Sequence, residues 1–250
     1  MDLFQSISAW FSGVQAEFAL NFLEKNRWRL LLTGLGNTLL ISLLACLIGI
    51  LLGVVIAVVR TAWDSSVKYN RKSFTRSLFG VLNKICTLYT TVIRGTPMVI
   101  QLLIMYYIIF ASSKNGLMVA TLSFGLNSGA YVSEIIRGGI NSIDKGQMEA
   151  GRSLGLNYVQ TMLYIISPQV LKNVLPSLAN EFITLLKETS VAGYVAVQDL
   201  TYAGNRIRGV TYSAFMPLIA VALIYLLLVV ILTKLVSNLE RRLRQSDNRQ

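Results

Sequence analysis

The sequence predicts an all-α integral membrane protein with about five transmembrane helices, its amino terminus outside the cell and its carboxyl terminus inside. Of its 250 residues, 54% are hydrophobic and only 14% are charged, and the mean hydropathy is +0.57. Soluble domains contain roughly 25% charged residues. A helix needs roughly 20 residues to cross about 30 Å of hydrocarbon, and several charge-free runs in this chain reach that length.

The predicted spans follow one another with short polar connections. The first lies between Arg29 and Arg60, the second covers about residues 81–110, the third covers 115–133 and the fifth covers 210–233. We place the fourth at about 168–190, because the chain has to return across the membrane there to satisfy the charge pattern. That span nevertheless carries four charged residues: Lys172, Glu181, Lys187 and Glu188.

Two features predict the shape of the first two spans. Gly49 and Gly53 are four residues apart in the first span, which allows another helix to approach closely. Pro97 lies inside the second span, where it removes a backbone donor and bends the helix. We therefore expect tight packing along the first helix and a kink in the second.

The basic residues predict the side of the membrane on which each loop lies. The net charge is +11, and Lys and Arg are retained on the cytoplasmic side. Most lie after the first span, after the third span and in the tail: Arg60, Lys68, Arg71, Lys72, Arg76, Lys84, Arg137, Lys145, Arg152, Lys234, Arg241, Arg242, Arg244 and Arg249. The other side has fewer: Lys25, Arg27, Arg29, Lys114, Arg206 and Arg208. This distribution indicates membrane topology rather than nucleic-acid binding.

The chain divides into three predicted parts. Residues 1–29 mix aromatic residues with acids, which fits an amphipathic helix along the outer leaflet; a poorly ordered extension is the alternative. Residues 30–236 form the transmembrane domain, with a cytoplasmic loop at about 138–167. Residues 237–250 form a basic cytoplasmic tail, where basic residues interleave with leucines as in a helix on the membrane surface.

Several classes of activity are excluded by composition. The chain has no His and two separated cysteines, Cys46 and Cys86, so a His-ligated metal site and a Ser-His-Asp triad are excluded and a zinc site is disfavoured. No glycine-rich phosphate loop ending in Gly-Lys-Ser or Gly-Lys-Thr occurs, so we expect no ATPase activity in this chain.

The most informative motif lies in the loop after the third span. Glu149-Ala150-Gly151 is followed by Gly155 after three residues, by Ile165 after nine more, and by Pro168. This spacing resembles the coupling loop of ABC-importer permeases, which reads Glu-Ala-Ala, three residues, Gly, nine residues, Ile, one residue, Leu-Pro. Gly151 and Ser167 depart from that pattern, and the spacing is kept.

A wider set of short stretches resembles the permeases of polar amino-acid importers of the histidine, glutamine and arginine type. The matching stretches are Gly36-Asn37-Thr38, residues 94–97, 133–139 and 145–156, Asn180-Glu181-Phe182-Ile183, Lys187-Glu188-Thr189-Ser190 and Asp199-Leu200-Thr201. The resemblance implies the type I importer fold in the bacterial plasma membrane. It also implies a second permease subunit, identical or homologous, two cytoplasmic ATPase subunits that bind ATP and Mg, and an extracytoplasmic substrate-binding protein. No cofactor is expected on this chain itself.

The loop has the properties of a docking knob. Two short helices are predicted, from 147 to about 154 and from 158 to 166, with Gly155 at the turn between them. An apolar knob outside the bilayer needs a partner to cover it, small residues let that partner approach, and charges can pair at the rim. The predicted ATPase-coupling residues are Glu149, Ala150, Gly151, Arg152, Leu154 and Gly155.

Glu181 is the candidate residue for the substrate pathway. It lies 13 residues beyond Pro168, about 20 Å along the fourth helix, and a carboxylate at that depth usually faces a partner or a wet cavity. Glu188 falls on nearly the same face, and Asn180 and Thr184 flank Glu181 with hydrogen-bonding groups. We expect Glu181 to attract the α-ammonium group or a cationic side chain of an amino acid; a structural pairing remains the alternative.

Two other functions remain open at this point. An ion-gradient-driven secondary carrier would use the buried acids as coupling sites, although such folds usually contain internal repeats and none is evident here. A membrane scaffold for a cytoplasmic enzyme would use the same loop without transport.

Overall fold

In a computed structural model, the chain is helical over nearly all of its described residues, which are 3–68 and 74–247, with side chains described for 10–65 and 77–243. The side chains of Lys68, Arg71, Lys72, Arg76, Arg244 and Arg249, part of the predicted basic pattern, lie outside these ranges. The helices are α1 Leu3–Phe18, α2 Trp28–Lys68, α3 Phe74–Gly95, α4 Met98–Ile104, α5 Gly116–Asn141, α6 Lys145–Ser153, α7 Tyr158–Thr161, α8 Ser167–Glu188, α9 Leu200–Thr211 and α10 Phe215–Asp247.

Short turns of other helix types join these elements. π-helical turns at Ala19–Leu23, Met105–Ile109 and Met162–Ile166 connect or extend the α-helices, and 3₁₀ turns occupy Glu24–Asn26 and Thr189–Val195. The predicted amphipathic segment contains α1, whose Trp10 and Phe11 side chains are exposed. The residues assigned to the tail continue α10 as helix to Asp247.

The glycines of the first span make the predicted close contact with α5. A Cβ added at Gly49 would lie 2.6 Å from Ser128 Oγ, and one at Gly53 would lie 2.5 Å from Val132 Cγ1. Side chains of α2 enter the same seam opposite Gly125 and Gly129 of α5. The prediction from the glycine spacing is confirmed, and α2 and α5 form the most extensive helix contact in the described structure.

The order of these contacts gives the direction of each helix. Because Gly49 meets Ser128 and Gly53 meets Val132, α2 and α5 run parallel. The α8 helix runs antiparallel to α5, since Glu181 bonds Ser128 whereas Val174 meets Gly139. The start of α10 lines a cavity together with the end of α8, so α10 begins at the level where α8 ends.

A break separates α3 from α4 where a single bent span was expected. The chain bends by 111° between Ser77–Gly95 and Met98–Ile109. The Gln101 amide donates to Ile93 O at 2.7 Å and to Thr96 O at 3.0 Å across the break. Asn127 of α5 donates in turn to Gln101 Oε1 at 3.0 Å. The bend predicted at Pro97 is present and is much sharper than a proline kink, and the Gln101 amide supplies a donor to two of the carbonyls at the break.

The helix directions support five crossings. By length and apolar composition, two helices in the described ranges qualify as spans, α2 and α10, and the broken α3–α4 pair makes a third. Two consecutive parallel helices, α2 and α5, require the segment between them to return, so α3–α4 counts as one crossing. The remaining two, α5 and α8, have 26 and 22 residues, enough to cross, and are more polar because they lie inside the bundle.

Two of the short stretches that carry the family resemblance hold α9 against α2. Asn37 donates to Gln198 O at 2.9 Å, and Thr38 Oγ1 accepts the Leu200 N–H at 3.1 Å. Asp199 caps α9 by accepting the N–H groups of Thr201 and Tyr202. Gly34 lies directly against the Asp199 carbonyl, so these residues serve helix packing.

Candidate functional site

The predicted coupling loop, residues 138–167, folds as the two short helices that the sequence predicts. Asp144 caps α6 by accepting the Gly146 N–H, and Asn157 and Gln160 form a reciprocal capping box at the start of α7, with both bonds at 2.9 Å. Each helix start thus has its own cap, which satisfies N–H groups that would otherwise lack partners. The loop is therefore defined by local sequence.

Gly155 forms the turn between these helices. Its φ is +88°, a left-handed conformation that costs a residue with a Cβ about 1–2 kcal/mol. No atom lies within 4 Å of the place where a Cβ would be, so the conformation, and not crowding, requires glycine. The interpretation of Gly155 as the turn residue is confirmed.

Gly151 has a different role from the other predicted coupling residues. It is buried, and a Cβ there would lie 2.6 Å from Thr161 Cγ2 and 2.8 Å from Ile165 Cδ1. The departure from Ala to Gly at this position thus allows α6 to pack directly on the second helix of the loop. Ile165, a fixed position of the motif, is one of the residues that it packs against.

The other five predicted coupling residues are exposed: Glu149, Ala150, Arg152, Leu154 and Gly155. They lie beside an apolar surface that sequence reasoning only partly identified. Leu154 is 81% exposed and Tyr164 71%, and Val159 and Leu163 are also exposed. Exposed apolar side chains on a capped loop between predicted spans indicate an interaction surface.

The inner side of the loop is attached to the bundle. Ile166 and Val174 lie in an apolar cluster against which Met148 and Ile140 pack. Ser142 Oγ accepts from Asn173 at 3.2 Å, which ties the end of α5 to α8. The loop is thus fixed on α5 and α8 and presents its outer face to solvent.

Glu181 lies inside the bundle. Its side chain accepts a hydrogen bond from Ser128 Oγ at 2.9 Å, and Ser128 in turn faces Gly49 of α2. The carboxylate therefore sits where α2, α5 and α8 meet, half-buried. Ser128 as its partner was not predicted, because nothing in the spacing links α5 to α8 at this level.

The four predicted pathway residues divide between two faces of α8. Glu181 and Glu188 are half-buried and seven residues apart, on the bundle side. Asn180 and Thr184 are exposed and bonded to each other along the helix, the Thr184 hydroxyl donating to Asn180 O at 3.1 Å. The structure therefore does not bring all four together, since successive residues on a helix point about 100° apart.

Sequence reasoning found only part of an ion-pair network at the loop end of α5. Glu134 and Arg137 are three residues apart, a spacing that predicts a pair on one helix face, and the pair is present at 3.8 Å. Glu134 also accepts from Arg60 of α2, and Arg137 pairs with Asp64 at 3.2 Å. The only signal in the sequence was that α2 and α5 each carry an acidic and a basic residue near the end: Arg60 and Asp64 on α2, and Glu134 and Arg137 on α5.

Known proteins with similar sequences are permeases of transport systems. The chain is 42% identical to the arginine transport system permease protein ArtQ of Bacillus subtilis (strain 168) over 166 residues, which are 65% of this chain and 76% of the relative. It is 36% identical to the glutamine transport system permease protein GlnP of Escherichia coli (strain K12) over 177 residues, 68% of this chain and 80% of the relative.

Solved structures share the fold. A crystal structure of an amino acid ABC transporter with histidines superposes with a TM-score of 0.77 at 38% identity and covers 88% of this chain and 98% of its own. An inward-facing structure of the MetNI methionine ABC transporter, at 19% identity, has a TM-score of 0.72 over 86% of this chain and 97% of its own. The predicted type I permease fold is confirmed.

The family model of binding-protein-dependent transport system inner membrane components matches residues 49–245. That range contains the α2–α5 seam, the broken α3–α4 pair, the whole coupling loop and α8 with Glu181. The matched range is most of the chain, and the chain therefore belongs to the family of binding-protein-dependent transport system inner membrane components.

Proposed function

We propose that this chain is the permease subunit of an ATP-driven importer for polar amino acids, and that its α6–α7 loop transmits ATPase closure to the transmembrane helices. The observation that carries the proposal is the exposed apolar face of a rigid, doubly capped loop fixed to α5 and α8. The names of the relatives, arginine and glutamine permeases, support polar amino acids as the substrate class.

The loop is proposed to face the cytoplasm. The ends of α2, α5 and α10 lie on the same side as the loop, given the helix directions. These ends carry Arg60, Arg137, Lys234 and Arg241, and the loop itself carries Lys145. Such an excess of Lys and Arg is retained on the cytoplasmic side. This orientation puts the loop within reach of a cytoplasmic partner and makes the chain a multi-pass protein of the bacterial inner membrane.

The partners follow from the proposed role. Two cytoplasmic ATPase subunits, which bind ATP and Mg, would each receive one coupling loop, so a second permease subunit, identical or homologous, completes the pair. An extracytoplasmic binding protein delivers the substrate. This chain itself binds no cofactor and hydrolyses no ATP.

The mechanism is mechanical. When two ATPase subunits close on ATP, loops seated in their grooves are drawn together, and the attached α5 and α8 tilt. Leu154 and Tyr164 would fill the apolar part of the groove, while Glu149 and Arg152 meet charges at its rim. Tilting of α8 changes the surroundings of Glu181, which alternates the side to which its site opens.

Glu181 is proposed to bind the cationic group of the substrate in this pathway. A half-buried carboxylate bonded to one hydroxyl retains oxygen lone pairs for an ammonium or guanidinium donor. Glu188 extends the negative surface along the same face. Asn180 and Thr184, on the neighbouring exposed face, are proposed to offer hydrogen bonds where that face meets the second permease subunit.

Uptake by proteoliposomes with trapped ATP tests the proposal. The complex purified through this chain, together with its binding protein, should accumulate radiolabelled glutamine or arginine when ATP is inside the vesicles and not when ADP replaces it. Accumulation that persists without ATP and disappears with an ionophore would indicate a secondary carrier. Absence of uptake from a complex that still contains a cytoplasmic enzyme would indicate a scaffold.

The Glu181→Gln variant tests the pathway. Loss of a charged hydrogen bond should raise the substrate concentration for half-maximal uptake by roughly tenfold or more, while Glu17→Gln, on the exposed part of α1, should behave as wild type. Normal uptake by Glu181→Gln at low substrate would assign Glu181 to structural pairing with Ser128.

A further inference from the structure

Four charged side chains join α2 to α5 at their loop ends, and we call them the charge clamp: Arg60, Asp64, Glu134 and Arg137. Arg60 donates a hydrogen bond to Glu134. Arg137 lies 3.2 Å from Asp64 and 3.8 Å from Glu134. Two cations and two anions therefore alternate across the two helices, and the charges balance.

The charge clamp is partly withdrawn from water. The side chains of Arg60 and Arg137 are only 13% and 21% exposed. Arg60 also approaches Thr90 of α3 at 3.5 Å. The side chains of Glu134 and Asp64 are 32% and 58% exposed, so the Arg60–Glu134 pair is the more weakly screened of the two pairs between the helices. Loss of Glu134 would leave Arg60 poorly solvated, and this pair therefore disfavours separation of α2 from α5.

The charge clamp continues the glycine seam. Arg60 lies seven residues beyond Gly53, two helical turns along the same face, and Gly53 is in contact with Val132 and Ser133 next to Glu134. Close packing from Gly49 to Gly53 is thus followed directly by ion pairs. Among the described residues, α2 and α5 are therefore in contact from Gly49 to Arg60.

A cavity separates α2 from the coupling loop itself. Its volume is about 250 Å³, and Thr61 and Ser65 of α2 line one side while Met148 and Tyr158 of the loop line the other. Asp64 and Arg137 border the same space. At this level the ion pairs of Arg60 and Asp64 both run to α5, one of the two helices to which the loop is fixed.

We propose that the charge clamp makes α2 follow α5 when the coupling loop moves, so that the first span takes part in the opening of the pathway. This inference rests on the proposed function, in which the four residues of the charge clamp act as positioning residues. Without the charge clamp, the ATPase still moves α5 and α8, but the end of α2 beyond Gly53 lags behind, and ATP is hydrolysed without a matching import of substrate.

A charge exchange in the complete transporter tests this inference. Arg60→Glu and Glu134→Arg should each keep ATP hydrolysis while substrate imported per ATP falls about tenfold, a change typical of coupling between sites. The double exchange Arg60→Glu with Glu134→Arg restores an opposite-charge pair and should recover part of the loss. Recovery should be incomplete, because Arg137 then lies beside a second positive charge. Lys84→Glu, an exposed charge reversal on α3, is the matched control.

Measuring the distance between α2 and α5 tests the charge clamp without a transport assay. Spin labels at Val58 and Gly138, after replacement of Cys46 and Cys86, report the separation of α2 and α5; both sites are exposed, and Gly138 has open space around it. With the charge clamp intact, the distance should be equal in the nucleotide-free and ATP-trapped states. In Arg60→Glu it should change between states, and Glu134→Gln provides a milder break if the reversal does not assemble.

The outcomes separate this inference from the proposed function. Normal import per ATP in both single variants, or equal losses in the single and double variants with an unchanged label distance, would overturn the charge clamp while wild-type import stands. Absence of ATP-driven import by the wild-type complex would instead overturn the proposed function.

Discussion

At the scale of single residues, glycines in this chain are required for different physical reasons. Gly155 is open on all sides and needs its positive φ, whereas Gly53 and Gly151 have helical backbones and need the absence of a side chain. The spacing of Gly49 and Gly53 predicted their seam, because four residues is one helical turn. The role of Gly151 was not predictable, since it depends on Thr161, ten residues away along the chain.

Adding one methyl group between α2 and α5 tests how tightly the seam is packed. Gly53→Ala places a Cβ 2.5 Å from Val132 Cγ1 and should destabilise the protein by about 1–3 kcal/mol, as overpacking does. Gly36→Ala, also in α2 and with nothing within 4 Å, should leave stability unchanged or slightly raised. Thermal unfolding in detergent measures both, and equal midpoints for the two variants would contradict a crowded seam.

The packing of Gly151 has its own test. Gly151→Ala should loosen the loop and lower the amount of ATPase that copurifies with this chain, by a loss of about 1–3 kcal/mol in packing. Thr161→Ser removes the crowding methyl and keeps the hydroxyl that donates to Asn157 O. The double variant should therefore recover part of the copurification, since Ile165 Cδ1 still lies 2.8 Å from the added Cβ, and no recovery at all would show that Thr161 is not the obstacle.

At the scale of elements, the loop helices were predictable and the broken span was predictable only in part. Asp144, Asn157 and Gly155 are local signals that act within a few residues. Pro97 indicated a bend, but an angle of 111° depends on Gln101 and on Asn127 from another helix. Contacts between distant segments leave no periodic pattern in a single sequence.

The amide of Gln101 is predicted to hold the break. Gln101→Met removes the donor to Ile93 O and Thr96 O and the acceptor for Asn127, and should cost about 1–3 kcal/mol because these groups are left unsatisfied. Gln15→Met, on the exposed part of α1, is the control. Unfolding midpoints in detergent compare them, and an unchanged midpoint for Gln101→Met would assign the bend to Pro97 alone.

At the scale of the whole molecule, the helix directions put the coupling loop and the end of α10 on one side and the α9–α10 turn on the other. By apolar composition only two or three of the observed helices qualify as spans, because α5 and α8 carry the polar groups of the interior. The charge-free run at 115–133 still predicted α5. The charge pattern nevertheless predicted a fourth crossing despite its charges. The ion pairs between α2 and α5 were missed, since their members are 73 or 74 residues apart.

Labelling of intact cells tests the orientation. In a chain without Cys46 and Cys86, Tyr212→Cys, at a position 93% exposed in the α9–α10 turn, should react with a membrane-impermeant maleimide from outside. Leu154→Cys, 81% exposed in the loop, should react only after permeabilisation. The reverse pattern would invert the topology.

The central claim is that the α6–α7 loop converts ATPase closure into import, and the most direct measurement is substrate imported per ATP hydrolysed in proteoliposomes with a Gly155 variant. Gly155→Val cannot readily adopt φ of +88°, so both association with the ATPase and ATP-driven accumulation should fall sharply, whereas Gly155→Asn, which tolerates this region better, should retain most of both. Wild-type association and accumulation in Gly155→Val would contradict the claim.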